Sequence, residues 1–176
     1  MNIRRSQVLQ DSRVAAGVVR YHAWPVLQRQ TIADHSFNCC RIYFELWGPL
    51  SPEVSTYFIW HDLGELVLGD LPFPVKARNP DLKEVCDRIE SEAVVAMGGA
   101  LVVLSPEEKI RVKLCDYLDM WQFGLFELRL GNLYGQPIVD DCSGSALALA
   151  AQLSLEDQKT FDAYVCNMTR GHSKRD

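Results

Sequence analysis

The stretch Phe58-Ile59-Trp60-His61-Asp62-Leu63-Gly64-Glu65-Leu66-Val67-Leu68-Gly69-Asp70 decides how this chain is read. An apolar helical run carries an adjacent His-Asp pair, a carboxylate one turn later, and then Gly-Asp. A buried charge costs several kcal/mol unless it is paired or bound to a metal. A divalent ion is the most economical reason for an Asp beside a His in such a run.

Upstream, Ser51-Pro52-Glu53 is a helix start: an N-cap serine, proline at the first helical position and an acid in the first turn. The spacing of Val54, Tyr57, Phe58, His61, Glu65 and Leu68 predicts one helix to about Leu68, with His61 and Glu65 on a shared face. Asp62, about 100° away, would reach a common site only at the rim of that face. Gly69 ends the helix, and Asp70 opens an expected stiff turn, Leu71-Pro72-Phe73-Pro74-Val75-Lys76.

Working further outward, Thr31 with Asp34 forms a capping-box pattern for a helix to about Trp47, with His35 in its first turn. Before it, the connector Arg20–Gln30 holds Arg20, Tyr21, His22 and Trp24. That mixture of cation and aromatics suits a flat anionic ligand, or equally a surface loop whose aromatics pack on the core. A short helix is expected over residues 4–19. Asn79-Pro80 opens a helix over 80–97, and Ser105-Pro106-Glu107-Glu108 opens a long one through about Leu133. That long helix places Asp116 in apolar surroundings. Residues 131–145 read as a loop, followed by helices over 145–153 and 155–170. No alternating strand pattern is present. The expected fold is all-α and single-domain over residues 1–176, with a core in 4–133.

The chain has 176 residues, 48% apolar and 23% charged, with a net charge of −5. It has no basic block, which argues against a nucleic-acid polymer as partner. No apolar run is long enough to span a bilayer, and no signal-like apolar segment follows Met1–Arg5, so a cytoplasmic protein is expected. Six cysteines without a Cys-x-x-Cys pair fit reduced core residues.

The candidate metal ligands His35, His61, Asp62 and Asp116 come from three helices. Two imidazoles and two carboxylates suit Mn²⁺, Co²⁺, Fe²⁺ or Zn²⁺. The order His, His-Asp, Asp on separate helices resembles the HD-domain metal-dependent phosphohydrolases, and the expected fold becomes an HD-domain helical bundle. Arg20-Tyr21, fifteen residues before His35, and Glu65 followed by Gly69–Lys76 sharpen the likeness. The combination is similar to the bacterial HD-domain 5′-deoxynucleotidases and to the short phage HD-domain dATP triphosphohydrolases. The latter clear dATP in phages that replace adenine by 2-aminoadenine.

The resemblance implies that His35, His61, Asp62 and Asp116 hold one catalytic ion, with Zn, Co or Mn expected. A second ion could accompany the substrate phosphates. It implies Glu65 and Asp70 as the acid/base pair, Arg20 as a phosphate-binding arginine and Lys76 as a second cation. Tyr21 would stack on the sugar or base, where the nucleotidase branch usually has Trp. Ala23 and Pro74 fall where the phage enzymes line the base edge, and Trp24 joins them as a substrate contact. The expected activity is hydrolysis of dATP to deoxyadenosine and triphosphate. The alternatives are a 5′-deoxynucleotidase acting on monophosphates and a non-catalytic nucleotide-binding module. Self-association through apolar surface near Trp121–Leu130 is expected, as dimer or hexamer.

Overall fold

Side chains that satisfy the free N–H groups of a first turn fix where most of these helices begin. The structure, a computed structural model, describes residues 8–71 and 73–170, without the side chains of residues 73, 74, 77 and 170. Its elements are α1 (Ser12–Ala15), β1 (Val19–Arg20), β2 (Gln30–Thr31), α2 (Ile32–Trp47), α3 (Pro52–Trp60), α4 (Glu65–Leu68), α5 (Phe73–Arg78), α6 (Pro80–Ala96), α7 (Pro106–Arg129), α8 (Gly135–Ala150) and α9 (Leu155–Arg170).

Thr31 and Asp34 cap α2 reciprocally: the Asp34 N–H donates to Thr31 Oγ1 at 3.2 Å, and the Thr31 N–H donates to Asp34 Oδ2 at 2.8 Å. Ser105 and Glu108 repeat the device on α7, and Ser51 Oγ accepts from the Val54 N–H at the start of α3. Asn79 precedes α6 but makes no side-chain cap; its amide donates to the Val75 carbonyl instead.

The long helix α7 is the spine, packed chiefly against α8 and α2. Its Val112, Leu114, Cys115 and Leu118 are buried with Ile42 of α2 and Val54 and Phe58 of α3. Fully burying side chains of this size contributes about 1.5–3 kcal/mol each. A smaller cluster of Ala15, Ile32 and Leu63 packs α1 against the start of α2 and the turn after α3.

Five expectations are corrected. The helix expected over 51–68 breaks after Trp60. Leu63, Glu65, Leu66 and Val67 donate to carbonyls three residues back, at 3.3, 3.0, 3.3 and 3.1 Å. Such tight turns make positions i and i+3 eclipse, so Asp62 shares a face with Glu65 rather than lying at a rim. Gly64 permits this bend against α6, because a Cβ there would lie 2.4 Å from the Glu90 carbonyl oxygen. The second correction concerns the Pro-rich turn, which is helical from Phe73; Pro74 falls in the first turn, where a missing N–H leaves no bond unmade. Third, the loop expected over 131–145 turns helical at Gly135, while α7 stops at Arg129. Gly135 packs so closely on α7 that its Cβ would meet the Gly124 carbonyl at 2.5 Å. Fourth, residues 19–20 and 30–31 pair as a short antiparallel ribbon, where no strand was expected. Fifth, of the helix expected over 4–19, residues 4–7 lie outside the described residues, and only Ser12–Ala15 form the turn capped by Asp11.

Trp121 is buried in the core, so the apolar surface expected near Trp121–Leu130 reduces to Phe126 and Leu130. All six cysteines are free thiols. No helix among the described residues is long and apolar enough to cross a membrane.

Candidate metal and nucleotide site

Three elements bring the sequence-nominated ligands together. His35 projects from the first turn of α2, His61 and Asp62 from the tight turn after α3, and Asp116 from the middle of α7. His35 Nε2 lies 3.5 Å from Asp62 Oδ2 and 3.8 Å from Asp116 Oδ1. His61 Nε2 lies 3.4 and 3.6 Å from the same two oxygens. These separations exceed good N–H···O bonds. One ligand atom each of His35, His61 and Asp116 lies within 4.8 Å of the other two, close enough for one ion to touch all three, and Asp62 Oδ2 adjoins both imidazoles. His61 Nε2 is buried and has no hydrogen-bond partner.

The surroundings set which atoms point inward. His61 Nδ1 sits 3.1 Å from the Phe58 carbonyl, to which only a protonated Nδ1 can donate, leaving Nε2 as a lone pair. The Tyr57 ring stacks on His61 at 5.1 Å. Lys113 donates to Asp116 Oδ2 at 3.2 Å, so Oδ1 faces the imidazoles. The donor set, its spacing and the orphaned nitrogen fit a borderline divalent cation.

A cleft of about 390 Å³ opens from this cluster, within the size range of small-molecule sites. Arg20, Tyr21, Ala23, Trp24, Glu65, Asp70 and Lys76 all line it, so the structure gathers these sequence-nominated residues in one place. The Pro74 side chain lies outside the described residues. Tyr117, Met120, Pro137 and Ile138 add apolar surface to the lining.

Arg20 is buried and donates through Nη1 to Asp62 Oδ2 at 2.7 Å. Burial works against its charge, and Asp62 more than offsets that, so the guanidinium stays protonated. Asp62 is in turn held well below the carboxylate range: burial opposes this, but His61, Arg20 and His35 outweigh it. Glu65 goes the other way. Burial, then the Asp62 charge, push it up to about 9. Its Oε2 is buried and unpartnered. Two neighbouring carboxylates with opposite shifts are the pattern of an acid beside an anion.

Tyr21 sits at φ 58°, in the left-handed region. A non-glycine residue there costs about 1–3 kcal/mol and needs its surroundings to hold it. Two contacts do so: the Tyr21 N–H donates to Asp70 Oδ2 at 2.7 Å, and the ring stacks on Phe123 at 4.4 Å with planes 2° apart. Asp70 therefore anchors the Tyr21 backbone as well as lining the cleft. Lys76 donates to Glu90 at 2.7 Å, so part of its charge is already matched.

Sequence reasoning missed several contributors. Asp119, one turn after Asp116, bonds His35 Nδ1 at 2.6 Å and accepts from Gln30 Nε2 at 3.0 Å. Glu127, fully buried, accepts from the Leu27 and Gln28 N–H groups at 2.7 and 2.8 Å and thereby staples the Arg20–Gln30 loop. The i, i+3 spacing of Asp116 and Asp119 on a buried stripe was the available signal for the first. Glu127 also accepts from Asn132 Nδ2, five residues on, but its loop partners Leu27 and Gln28 are about a hundred residues away and nothing local marks them.

A 5′-deoxynucleotidase of Pasteurella multocida is 28% identical over 110 residues, covering 57% of this chain and 54% of that protein. One from Vibrio atlanticus is 32% identical over 82 residues, 40% of this chain and 42% of that protein. Another, from Vibrio cholerae, is 28% identical over 153 residues, covering 70% and 79%. The chain thus spans only about half the length of the first relatives it matches. The fold matches the HD phosphohydrolase DatZ of cyanophage S-2L, solved with dA and one catalytic Zn²⁺ ion. That match has a TM-score of 0.71 at 19% identity, covering 97% of this chain and 99% of that one. With residues 16–133 matching the profile of the 5′-deoxynucleotidase YfbR-like family, the chain belongs to that family.

Proposed function

We propose that this chain is a divalent-metal-dependent deoxynucleotide phosphohydrolase, built as one HD-type domain, that converts dATP to deoxyadenosine and triphosphate. The observation that carries the hydrolase reading is the gathering of His35, His61, Asp62 and Asp116, three of which (His35, Asp62 and Asp116) line the cleft. A match over nearly the full length of both chains to a phage phosphohydrolase solved with dA supports an adenine deoxynucleotide as substrate, and the Arg20–Pro25 segment's likeness to the phage enzymes is what favours the triphosphate. The names of the partial relatives favour a second reading, a 5′-deoxynucleotidase acting on deoxynucleoside monophosphates. A non-catalytic nucleotide-binding module remains the reading to which an inert chain would revert.

A bound ion at the four ligands supplies Lewis-acid polarisation of a phosphoryl oxygen and acidifies water at the site. Arg20, charged and with its Nε unpartnered, offers N–H groups to the phosphoryl oxygens. Lys76 adds a second positive charge on the cleft wall. A water oxygen forms the new bond to the α-phosphorus, and the bond from phosphorus to the 5′-oxygen breaks. Asp70 accepts the proton leaving the water, and Glu65, protonated at neutral pH, gives its proton to the departing 5′-oxygen. Tyr21 packs on the sugar or base, with Ala23, Trp24 and Pro74 near the base edge. Zn, Co and Mn all suit the donor set, a second ion would travel with the phosphates, and exposed Phe126 and Leu130 serve self-association.

Product chromatography separates the readings. Tripolyphosphate released from dATP supports the first; orthophosphate from dAMP alone rejects it in favour of the second. No turnover of either with Mn²⁺, Co²⁺ and Zn²⁺ each supplied in excess leaves only the binding module.

A further inference from the structure

Asp119 is 2% exposed and lies outside the ligand set proposed above. Its Oδ2 meets two groups at once, His35 Nδ1 at 2.6 Å and Gln30 Nε2 at 3.0 Å. The same oxygen accepts from the Gln30 amide, which assigns the acceptor role to Oδ2, the donor role to an Nδ1–H of His35, and a bare lone pair to Nε2. Nε2 is the nitrogen that faces Asp62 and Asp116. The other group at the ring, Cys39 Sγ at 3.6–3.7 Å, is a weak partner that would not by itself choose a tautomer.

Gln30 makes the arrangement directional. It is itself buried, and its backbone pairs with Arg20 across the β1–β2 ribbon. The acceptor oxygen of Asp119 therefore ties the imidazole on α2 to the strand that faces Arg20. We propose that Asp119 is a positioning residue: a buried carboxylate that locks the His35 ring with Nε2 bare toward the cation and keeps that ring in register with the Arg20 strand. Carboxylates placed behind ligating histidines fix the tautomer and raise ligand basicity, and losing one typically weakens metal binding 10–100-fold. The inference rests on the hydrolase reading only for the identity of the site, not for the test.

The test uses the full chain, stripped of metal and then titrated with Co²⁺ by calorimetry. Asp119→Asn is nearly isosteric and keeps one acceptor oxygen while losing the charge. It should bind Co²⁺ roughly 10–100-fold more weakly, with the melting temperature of the metal-free protein little changed and with kcat largely restored at saturating Co²⁺. A residue that only holds the fold together would lower the melting temperature and leave Co²⁺ affinity alone. Imidazole ¹⁵N spectra of metal-free wild type, taken where the rings are neutral, supply a measurement that needs no variant to fold. They should show the His35 proton on Nδ1. A proton on Nε2, or an Asp119→Asn chain that takes Co²⁺ as tightly as wild type, overturns the proposal. A wild-type chain that takes up no Co²⁺ overturns the hydrolase reading instead, and the ring tautomer still decides the role of Asp119.

Discussion

Glu65→Gln should stabilise the metal-free protein, and the gain should grow with pH. Glu65 is 7% exposed, and its carboxyl is pushed from an ordinary 4.5 up to about 9. In the unfolded chain the group ionises above pH 4.5; in the folded chain it keeps its proton until about pH 9. Between those values the unfolded state binds fewer protons, so stability falls as pH rises. Below the lower value both states are protonated and the penalty vanishes. Each pH unit in the window is worth about 1.4 kcal/mol, so wild type carries a penalty of about 3 kcal/mol at pH 7 and about 5 kcal/mol at pH 8.5.

Glutamine keeps the shape and the neutral state of the folded form and cannot ionise when unfolded. Urea titrations of both proteins with a chelator present, at pH 5, 7 and 8.5, give the difference directly. The variant should match wild type within about 1 kcal/mol at pH 5 and exceed it by a few kcal/mol at pH 8.5. A difference that stays flat across this range would mean that Glu65 is ionised in the folded protein, and its role as proton donor would go with it. The same substitution should abolish most turnover, because an amide holds no acidic proton for the 5′-oxygen.

Asp62→Ala should remove metal uptake and turnover together, read by elemental analysis and product assay, and a turning-over variant would defeat the catalytic reading. Because it also strands buried Arg20 without its 2.7 Å partner, it should lose about 3–5 kcal/mol of stability as well. Tyr21→Ala should shift the ratio of deoxy- to ribonucleotide turnover; a ratio that does not move takes sugar discrimination away from that ring. Glu127→Gln takes the charge from both loop contacts and puts an NH2 group against one of the two N–H donors, leaving that donor without an acceptor at about 1.5–3 kcal/mol. The expected reading is a melting point lower by several degrees and a KM raised more than kcat is lowered, since the anchored Leu27 and Gln28 lie at the far end of the loop from Arg20.

What could be read from the sequence was the chemistry that acts within one turn. Thr31 with Asp34, Ser51 with Pro52, and Ser105 with Glu108 each satisfy N–H groups two or three residues away, and all three starts stand where their patterns place them. The His61-Asp62 pair was legible for a related reason: charge inside an apolar run demands a partner whatever the fold. What the sequence hid were events decided by residues far along the chain. Gly135-Gln136-Pro137 carries loop chemistry, and only the close seat of Gly135 on Gly124 makes it helical. Lys76 read as a free cation because Glu90, on another helix, was not visible as its partner. Asp119 shares a stripe with Val112 and Cys115 in the sequence, but nothing there shows that its partners are His35 and Gln30, more than eighty residues away.

The break after Trp60 is where these two kinds of information meet. A continuous helix would carry His61 and Glu65 inward on one stripe and leave Asp62 about 100° away. The three-residue turns bring Asp62 round onto the face of Glu65, and only then can Asp62 Oδ2 stand 3.4 Å from His61 and 3.5 Å from His35 while Arg20 holds it. Those turns persist because Gly64 lets α6 approach closer than any side chain would permit. The His61-Asp62 pair is therefore specified by local sequence, but its geometry is imposed from outside by α6, so the residues that make the proposed chemistry nameable are not the ones that make it geometrically possible.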